Sequence, residues 1–283
     1  MERNLWRDSL TEKEFEKVAR LVHVQAGIKM PSQKKSMLEA RLRKRIRALE
    51  LDGFTEYVEM LFEKDGLEHE LVHLLDVVST NKTDFFREAK HFDYLREQAL
   101  PTLLKRGIGL DRPLKVWSAG CSTGEEPYTL AMTLLEFGRE YGEYQFKILG
   151  TDLSTIVLNK AVQAVYPEGK TVDIPPDLKK RYLLRSKDRG SNLVRMAPAV
   201  REHVSFRRVN FMDDEFAIEE SFHLIFCRNV IIYFDQPTQR RLLEKLSGHL
   251  KADGYLFMGH SETLHGLGLP LLQLAPSVYQ DRK

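Results

Sequence analysis

Cysteine is nearly absent from this 283-residue chain, which has two, Cys121 and Cys227. So few exclude a disulfide scaffold and fit a reducing compartment, so a cytoplasmic location is expected. No apolar run approaches the roughly 20 residues that a membrane helix needs. The opening residues, MERNLWRDSLTEKEFEK, alternate in charge and lack the apolar segment of a signal peptide. An excess of one charge is also missing: 43 Lys and Arg against 41 Asp and Glu leave a formal net charge of +2. The whole surface is therefore no polyanion trap, and any electrostatic role must come from local clusters. No internal repeat or low-complexity tract occurs. What is present, 42% hydrophobic and 30% charged residues, is enough for a real core in one large unit or two modest ones.

The first 95 residues read as helix. SLTEKEFEKVARLVHVQAG offers Ser9 or Thr11 as N-cap, spaces Phe15, Val18, Ala19 and Val22 on one face, and stops at Gly27. PSQKKSMLEARLRKRIRALEL carries Leu38, Leu42, Ile46 and Leu49 on a stripe, giving a basic helix over 33–50. TEYVEMLFEK and EHELVHLLDVVS add two shorter helices. From residue 96 onward the texture is α/β: LKVWSAG, QFKILGTDL, FHLIFCRN and GYLFMGHS are short apolar runs, and helical patterns follow the first three. Such alternation predicts a mostly parallel sheet with helices on its faces. Between about 166 and 208 the rhythm breaks, and the alternating pieces NLVRMAP and HVSFRRVN predict a small inserted antiparallel subdomain.

Ligands of open α/β sheets sit beyond the carboxyl ends of the strands. The first such end, SAGCSTGEE, has Gly120 and Gly124 where a dinucleotide loop would have three glycines, and then Glu125 and Glu126. Carboxylates at a helix start repel a pyrophosphate and favour a cationic or amine-bearing ligand, although acids are also good first-turn residues. S-adenosylmethionine, with a sulfonium and an amine but no phosphate, suits this loop better than NAD. Asp152 ends the second strand, where a carboxylate could take both ribose hydroxyls or simply cap the next helix. STNKTDFFRE places Asn81, Thr83 and Arg87 at the boundary between the two regions, as ligand contacts or as a capped helix start. In CRNVIIYFD, Arg228, Asn229 and Tyr233 follow a strand end and face the ligand crevice or pack. On the basic helix Lys34, Arg41, Lys44 and Arg45 fall on one arc, either a solvated face or a docking surface for something acidic.

Together these pieces resemble the bacterial chemotaxis receptor methyltransferases, the CheR type, over essentially the whole chain. The resemblance is carried by AGIKM with RLRKRIRAL, STNKTDFFRE with HFDYL, VWSAGCSTGEEPYTLAM, ILGTDLS, RRVNF, FHLIFCRNVIIYFD and LKADGYLFMGHSE, in that order. It implies a Rossmann-like S-adenosylmethionine-dependent methyltransferase sheet over 96–283 with an inserted antiparallel β-subdomain, and an all-helical N-terminal domain over 1–95. It implies transfer of the methyl group to glutamate carboxylates on the cytoplasmic helical bundle of chemoreceptors, as γ-glutamyl methyl esters, without a metal. Asn81, Thr83, Arg87, Glu126, Asp152, Asn210, Phe211, Arg228 and Asn229 would line the cofactor, and Arg87 and Tyr233 would stand beside the transfer point. The insertion would grip a receptor C-terminal peptide in some members; the loop RSKDRGSN has fewer glycines than expected of those. A monomer is expected, recruited to membrane receptor arrays, with Lys34, Arg41, Lys44 and Arg45 docking the receptor.

Two rivals lack their signatures. Nucleic-acid amine methyltransferases place an Asn/Asp-Pro-Pro-aromatic run after the fourth strand, and cytosine C5 enzymes a Pro-Cys; here Phe226 precedes Cys227. A methyltransferase fold retained only as a sensor is opposed by the intact polar set and excluded only by turnover.

Overall fold

A reciprocal capping box starts the first helix. Thr11 Oγ1 accepts the Glu14 N–H at 3.3 Å, and Glu14 Oε2 accepts the Thr11 N–H at 2.7 Å. The computed structural model describes residues 8–63, 65–188 and 190–281. The leader reading of residues 1–7, and Arg189 of the RSKDRGSN loop, therefore lie outside the described residues. Helix α1 (Glu12–Ala26) ends at Gly27, whose φ of 71° supplies the left-handed cap. A 3₁₀ turn (Ser32–Lys34) leads into α2 (Lys35–Ala48), followed by α3 (Phe54–Phe62) and α4 (Gly66–Val78). Phe15, Val18, Val22, Leu38, Leu42 and Ile46 meet Tyr57, Leu61 and Leu74 in one core, as the 3.6-residue spacing demands.

The basic arc of α2 is not one uniformly exposed face, since Arg41 and Arg45 are half-buried and make internal contacts. Arg45 turns inward to the buried carboxylate of Glu70, with Nε–Oε1 at 2.9 Å and Nη2–Oε2 at 2.6 Å, and the Tyr57 hydroxyl donates to the same group at 3.0 Å. Arg41 Nη1 donates to the carbonyls of Val77, Val78 and Ser79 at 3.2, 2.9 and 2.9 Å. It therefore satisfies the open carboxyl end of α4. Lys44 is exposed.

Helix α5 (Lys90–Tyr94) passes through a π turn (Leu95–Ala99) into α6 (Leu100–Leu104), where Pro101 supplies no N–H. Then come β1 (Leu114–Ala119), α7 (Glu125–Tyr141), β2 (Phe146–Asp152) and α8 (Thr155–Gln163). A small sheet follows, built from β3 (Val165–Pro167), β4 (Leu183–Arg185) after α9 (Pro176–Tyr182), and β5 (Leu193–Met196). Its order is β3-β5-β4, all antiparallel. After α10 (Pro198–Arg201) come β6 (Val204–Arg208), β7 (Phe222–Cys227), α11 (Gln236–Gly248), β8 (Leu250–Met258), β9 (Leu271–Ala275) and β10 (Val278–Asp281).

The main sheet has the order β6-β2-β1-β7-β8-β10-β9, parallel through β8 and antiparallel at β10 and β9. Both of its faces are covered, so neighbouring strand residues enter different cores. Val116, Leu224, Phe226 and Phe257 lie in one, and Trp117, Ile225, Cys227 and Met258 in the other. The strand in HVSFRRVN, expected in the insertion, is β6 and pairs parallel with β2. Among the described residues no helix is long and apolar enough to cross a membrane.

The Arg45–Glu70 contact predicts that Arg45→Ala leaves a buried carboxylate without its cation, at a cost of about 3 kcal/mol and a fall of ~5 °C or more in thermal midpoint. Lys44→Ala should leave the midpoint unchanged in the same melt, and equal midpoints for the two variants would contradict this assignment.

Candidate functional site

Strand order reverses between β1 and β7, and the chain segments leaving these two strands part there and open a crevice. A cleft of about 270 Å³ occupies it, and Asn81, Thr83, Arg87, Glu126, Asp152, Asn210, Phe211, Arg228, Asn229 and Tyr233 all line it. Lys34 joins them from the helical region, together with Ile28 and Met30. Arg41, Lys44 and Arg45 do not.

The two glycines of the β1 loop are there for close approach as well as turning. Gly120 has φ 82°, and a Cβ on it would stand 2.5 Å from Val230 Cγ2; Gly124 has φ 95°, and its Cβ would stand 2.9 Å from the Ala161 Cβ. Between them the Ser122 N–H donates to Asp152 Oδ2 at 2.9 Å, while the Ser154 N–H donates to Oδ1 at 3.0 Å. Ser154 is itself the N-cap of α8. Asp152 therefore is not the cap; it ties the end of β2 to the β1 loop, buried at the cleft wall. Burial pushes its carboxyl up, against the pull of those N–H donors. Glu125 turns away to Thr123 Oγ1 at 2.6 Å, so only the second of the two loop acids faces the cleft.

At the floor of the site lies a charge network that no local sequence pattern marks. Arg228, 7% exposed, donates through Nη1 to Glu126 Oε2 at 3.1 Å and through Nε to Glu88 Oε2 at 3.3 Å. Its Nη2 stands 3.1 Å from the same Glu88 oxygen and also donates to the Arg87 carbonyl. The Phe92 ring lies 5.6 Å beneath the guanidinium. Glu126 Oε1 accepts from Ser118 Oγ at 2.7 Å. Burial raises the Glu126 carboxyl, with Arg228 and Ser118 pulling the other way. For Glu88 burial also raises it, but Arg228 and the His260 N–H prevail and hold it below the ordinary carboxylate range. With both acids ionised the set carries one net negative charge.

The backbone around this network is bent to fit. Phe86, Glu88, Ser122 and Asn229 take left-handed φ values of 53°, 58°, 49° and 58°, each costing on the order of 1 kcal/mol outside glycine. Glu88 was missed in the sequence because, next to Arg87, it reads as another surface charge. Glu88, His91 and His260 bring ligand-type atoms within 4.8 Å of one another. Arg228 already holds that carboxylate, and burial keeps His91 neutral by lowering its pKa to about 4.

The helical region supplies the outer wall. The Asn210 amide donates to the Gln25 carbonyl at 2.7 Å, and the Lys29 N–H donates to the Tyr233 carbonyl at 3.0 Å. His23 Nε2 stands 3.3 Å from Asp235 Oδ2. Tyr233 ends a 3₁₀ turn (Ile231–Tyr233), half-buried, with Lys34 Nζ 5.6 Å from its ring centre. Arg87 is half-buried with Nη1 on the Lys82 carbonyl at 2.9 Å. Asn81 to Glu88 form a loop rather than a helix start; Phe85 of that segment is buried in the core and Phe86 packs against it, half-buried. Cys121 and Cys227 are buried, and burial raises both thiols well above their ordinary value, which disfavours the reactive thiolate.

Known proteins carry the same arrangement of parts. Residues 13–79 match the family "CheR methyltransferase, all-alpha domain" and residues 81–272 match "CheR methyltransferase, SAM binding domain". The chemotaxis protein methyltransferase of Borreliella burgdorferi is 39% identical over 275 residues, covering 96% of this chain and 95% of its own. Those of Salmonella typhimurium and Escherichia coli are 37% and 36% identical over 262 residues, covering 92% of this chain and 87% and 88% of theirs. The chain belongs to the CheR methyltransferase family.

Proposed function

We infer that this protein transfers the methyl group of S-adenosylmethionine to glutamate side-chain carboxylates of chemoreceptors, forming γ-glutamyl methyl esters for chemotactic adaptation. The observation that carries the reading is the Glu88–Arg228–Glu126 network beneath the crevice, one charge negative overall when both acids are ionised. S-adenosylmethionine is one charge positive overall, from a sulfonium, an ammonium and a carboxylate, so the residues present fit it. When bound it supplies a methyl group made electrophilic by the sulfonium.

The remaining work falls to the chain. Glu126 offers its carboxylate to the ammonium, and Asp152 its outer lone pairs to the two ribose hydroxyls. Asn81, Thr83, Asn210, Phe211, Arg228 and Asn229 complete the walls of the cleft. The acceptor glutamate has a solution pKa of about 4.3 and is already ionised at neutral pH, so no general base is needed. Water stabilises such a carboxylate, and excluding it while fixing the oxygen in line lowers the barrier. We assign the alignment to Arg87 and Tyr233. Arg87 must hold the carboxylate loosely, because a tight ground-state pair would raise the barrier.

The helical region up to about residue 80 then forms the receptor-facing domain, and the segment from Asn81 onward, which lines the cleft and packs on the sheet, belongs with the transfer domain. For docking, Lys34 at the cleft mouth and Lys44 on the outer side of α2 remain as cations for an acidic receptor helix. Arg41 and Arg45, half-buried with internal contacts, are proposed beside them in a lesser part. The three-stranded sheet is the surface proposed for a receptor C-terminal peptide. We propose that it acts as a monomer recruited to receptor arrays.

Incubation with methyl-labelled S-adenosylmethionine and receptor-containing membranes tests the reaction. Label on the receptor that mild base releases as methanol is expected; base-stable label, or none, contradicts it. In the same assay Tyr233→Phe and Arg87→Ala should each lower turnover by roughly ten- to a hundredfold, with cofactor affinity in Tyr233→Phe close to that of the parent protein. Near-normal transfer in both variants removes the orienting role.

A further inference from the structure

Glu262 lies outside the cleft, yet its carboxylate binds the segment that forms one side of it. The side chain is buried, with the residue 5% exposed. Its Oε2 accepts the Asn229 N–H at 2.9 Å and the Gly259 N–H at 2.7 Å, and its Oε1 accepts the Ile231 N–H at 2.9 Å. Two of these donors belong to the loop that leaves β7, and the third to the residue after β8. All three would otherwise be buried N–H groups without an acceptor.

What the carboxylate holds is a strained and crowded piece of backbone. Asn229 sits at φ 58°, a conformation that costs a non-glycine residue and persists only where its surroundings enforce it. From one side Gly259 presses on it: a Cβ there would stand 2.6 Å from Asn229 Nδ2, 2.8 Å from Asn229 N and 2.8 Å from Glu262 Oε2. From the other side Gly120 leaves just enough room for Val230. Ile231, held by Oε1, is the first residue of the turn that ends in Tyr233, and the Phe234 N–H closes that turn on the Ile231 carbonyl at 3.0 Å. One side chain thus sets both the residue after Arg228 and the origin of the turn that presents Tyr233.

We propose that Glu262 is a positioning residue for methyl transfer, fixing the Asn229–Ile231 backbone so that Asn229 faces the cofactor cleft and Tyr233 the transfer point. The role rests on the reading of this cleft as the methyl-transfer site. It asks for a carboxylate, because three N–H donors converge on two oxygens and an amide offers only one acceptor.

Glu262→Gln keeps the shape and turns an NH₂ toward either Ile231 or the Asn229 and Gly259 pair. The expected result is a roughly tenfold loss in kcat and a similar weakening of cofactor binding, with KM for the receptor unchanged. Amide hydrogen exchange at Asn229 and Ile231 should speed up while exchange in α11 does not. Gly259→Ala, which displaces the same loop by steric pressure and leaves the charge alone, should give the same pattern and serves if Glu262→Gln does not fold. Wild-type kcat per bound cofactor and wild-type exchange in a folded variant overturn the proposal. So does a loss of turnover that only follows a smaller folded fraction. Failure of the parent protein to methylate receptors would instead strike the reading of the site, so the two failures are told apart.

Discussion

A guanidinium almost wholly out of water is the constraint around which this molecule is arranged. Arg228 is costly to bury alone, and its four partners come from three segments: Glu126 from the start of α7, Glu88 and the Arg87 carbonyl from the loop joining the helical region, Phe92 from α5. Each of them offsets part of the cost of keeping that charge out of water. The network therefore locks the first sheet loop, the boundary loop and the β7 loop together. It does so at the point where strand order reverses. Its surplus negative charge gives a reason for the acids in a loop that in dinucleotide enzymes is glycine-rich: Glu126 is half of the counter-charge to Arg228 and faces the ligand.

Much of the architecture was legible because the local signals are strong and agree with one another. Thr11 and Glu14 announce a helix start by chemistry alone, and unbroken apolar runs such as FHLIF can be buried on both faces only in a covered parallel sheet. The pairing of HVSFRRVN was not legible. As the edge strand β6 it has exposed Ser205, Arg207 and Arg208 alternating with half-buried Val204 and Phe206, and an antiparallel hairpin strand shows the same period of two. The partner was a matter of topology, which the pattern does not encode.

The same limit explains the site. A helical wheel placed Arg41 and Arg45 on one arc correctly, but their direction does not reveal that Glu70 and the end of α4 stand there. Strand-end logic brought Asp152, Arg228 and Asn229 to the cleft, whereas Glu88 and Glu262 act through buried bonds to distant segments and carry no local mark. Asp152 illustrates both outcomes: its place at the ligand crevice follows from the end of β2, while the cap it could have been is Ser154. Sequence reading finds residues that face a ligand more readily than those that hold them in place.

The charge of the Arg228 network is what cofactor binding depends on most. Calorimetric titration of S-adenosylmethionine into Glu126→Gln, with the thermal midpoint recorded to show that the protein is folded, isolates it. Removing one carboxylate leaves the network neutral, and affinity should fall by roughly tenfold or more. An unchanged dissociation constant in the folded variant would contradict the claim that this charge holds the cofactor.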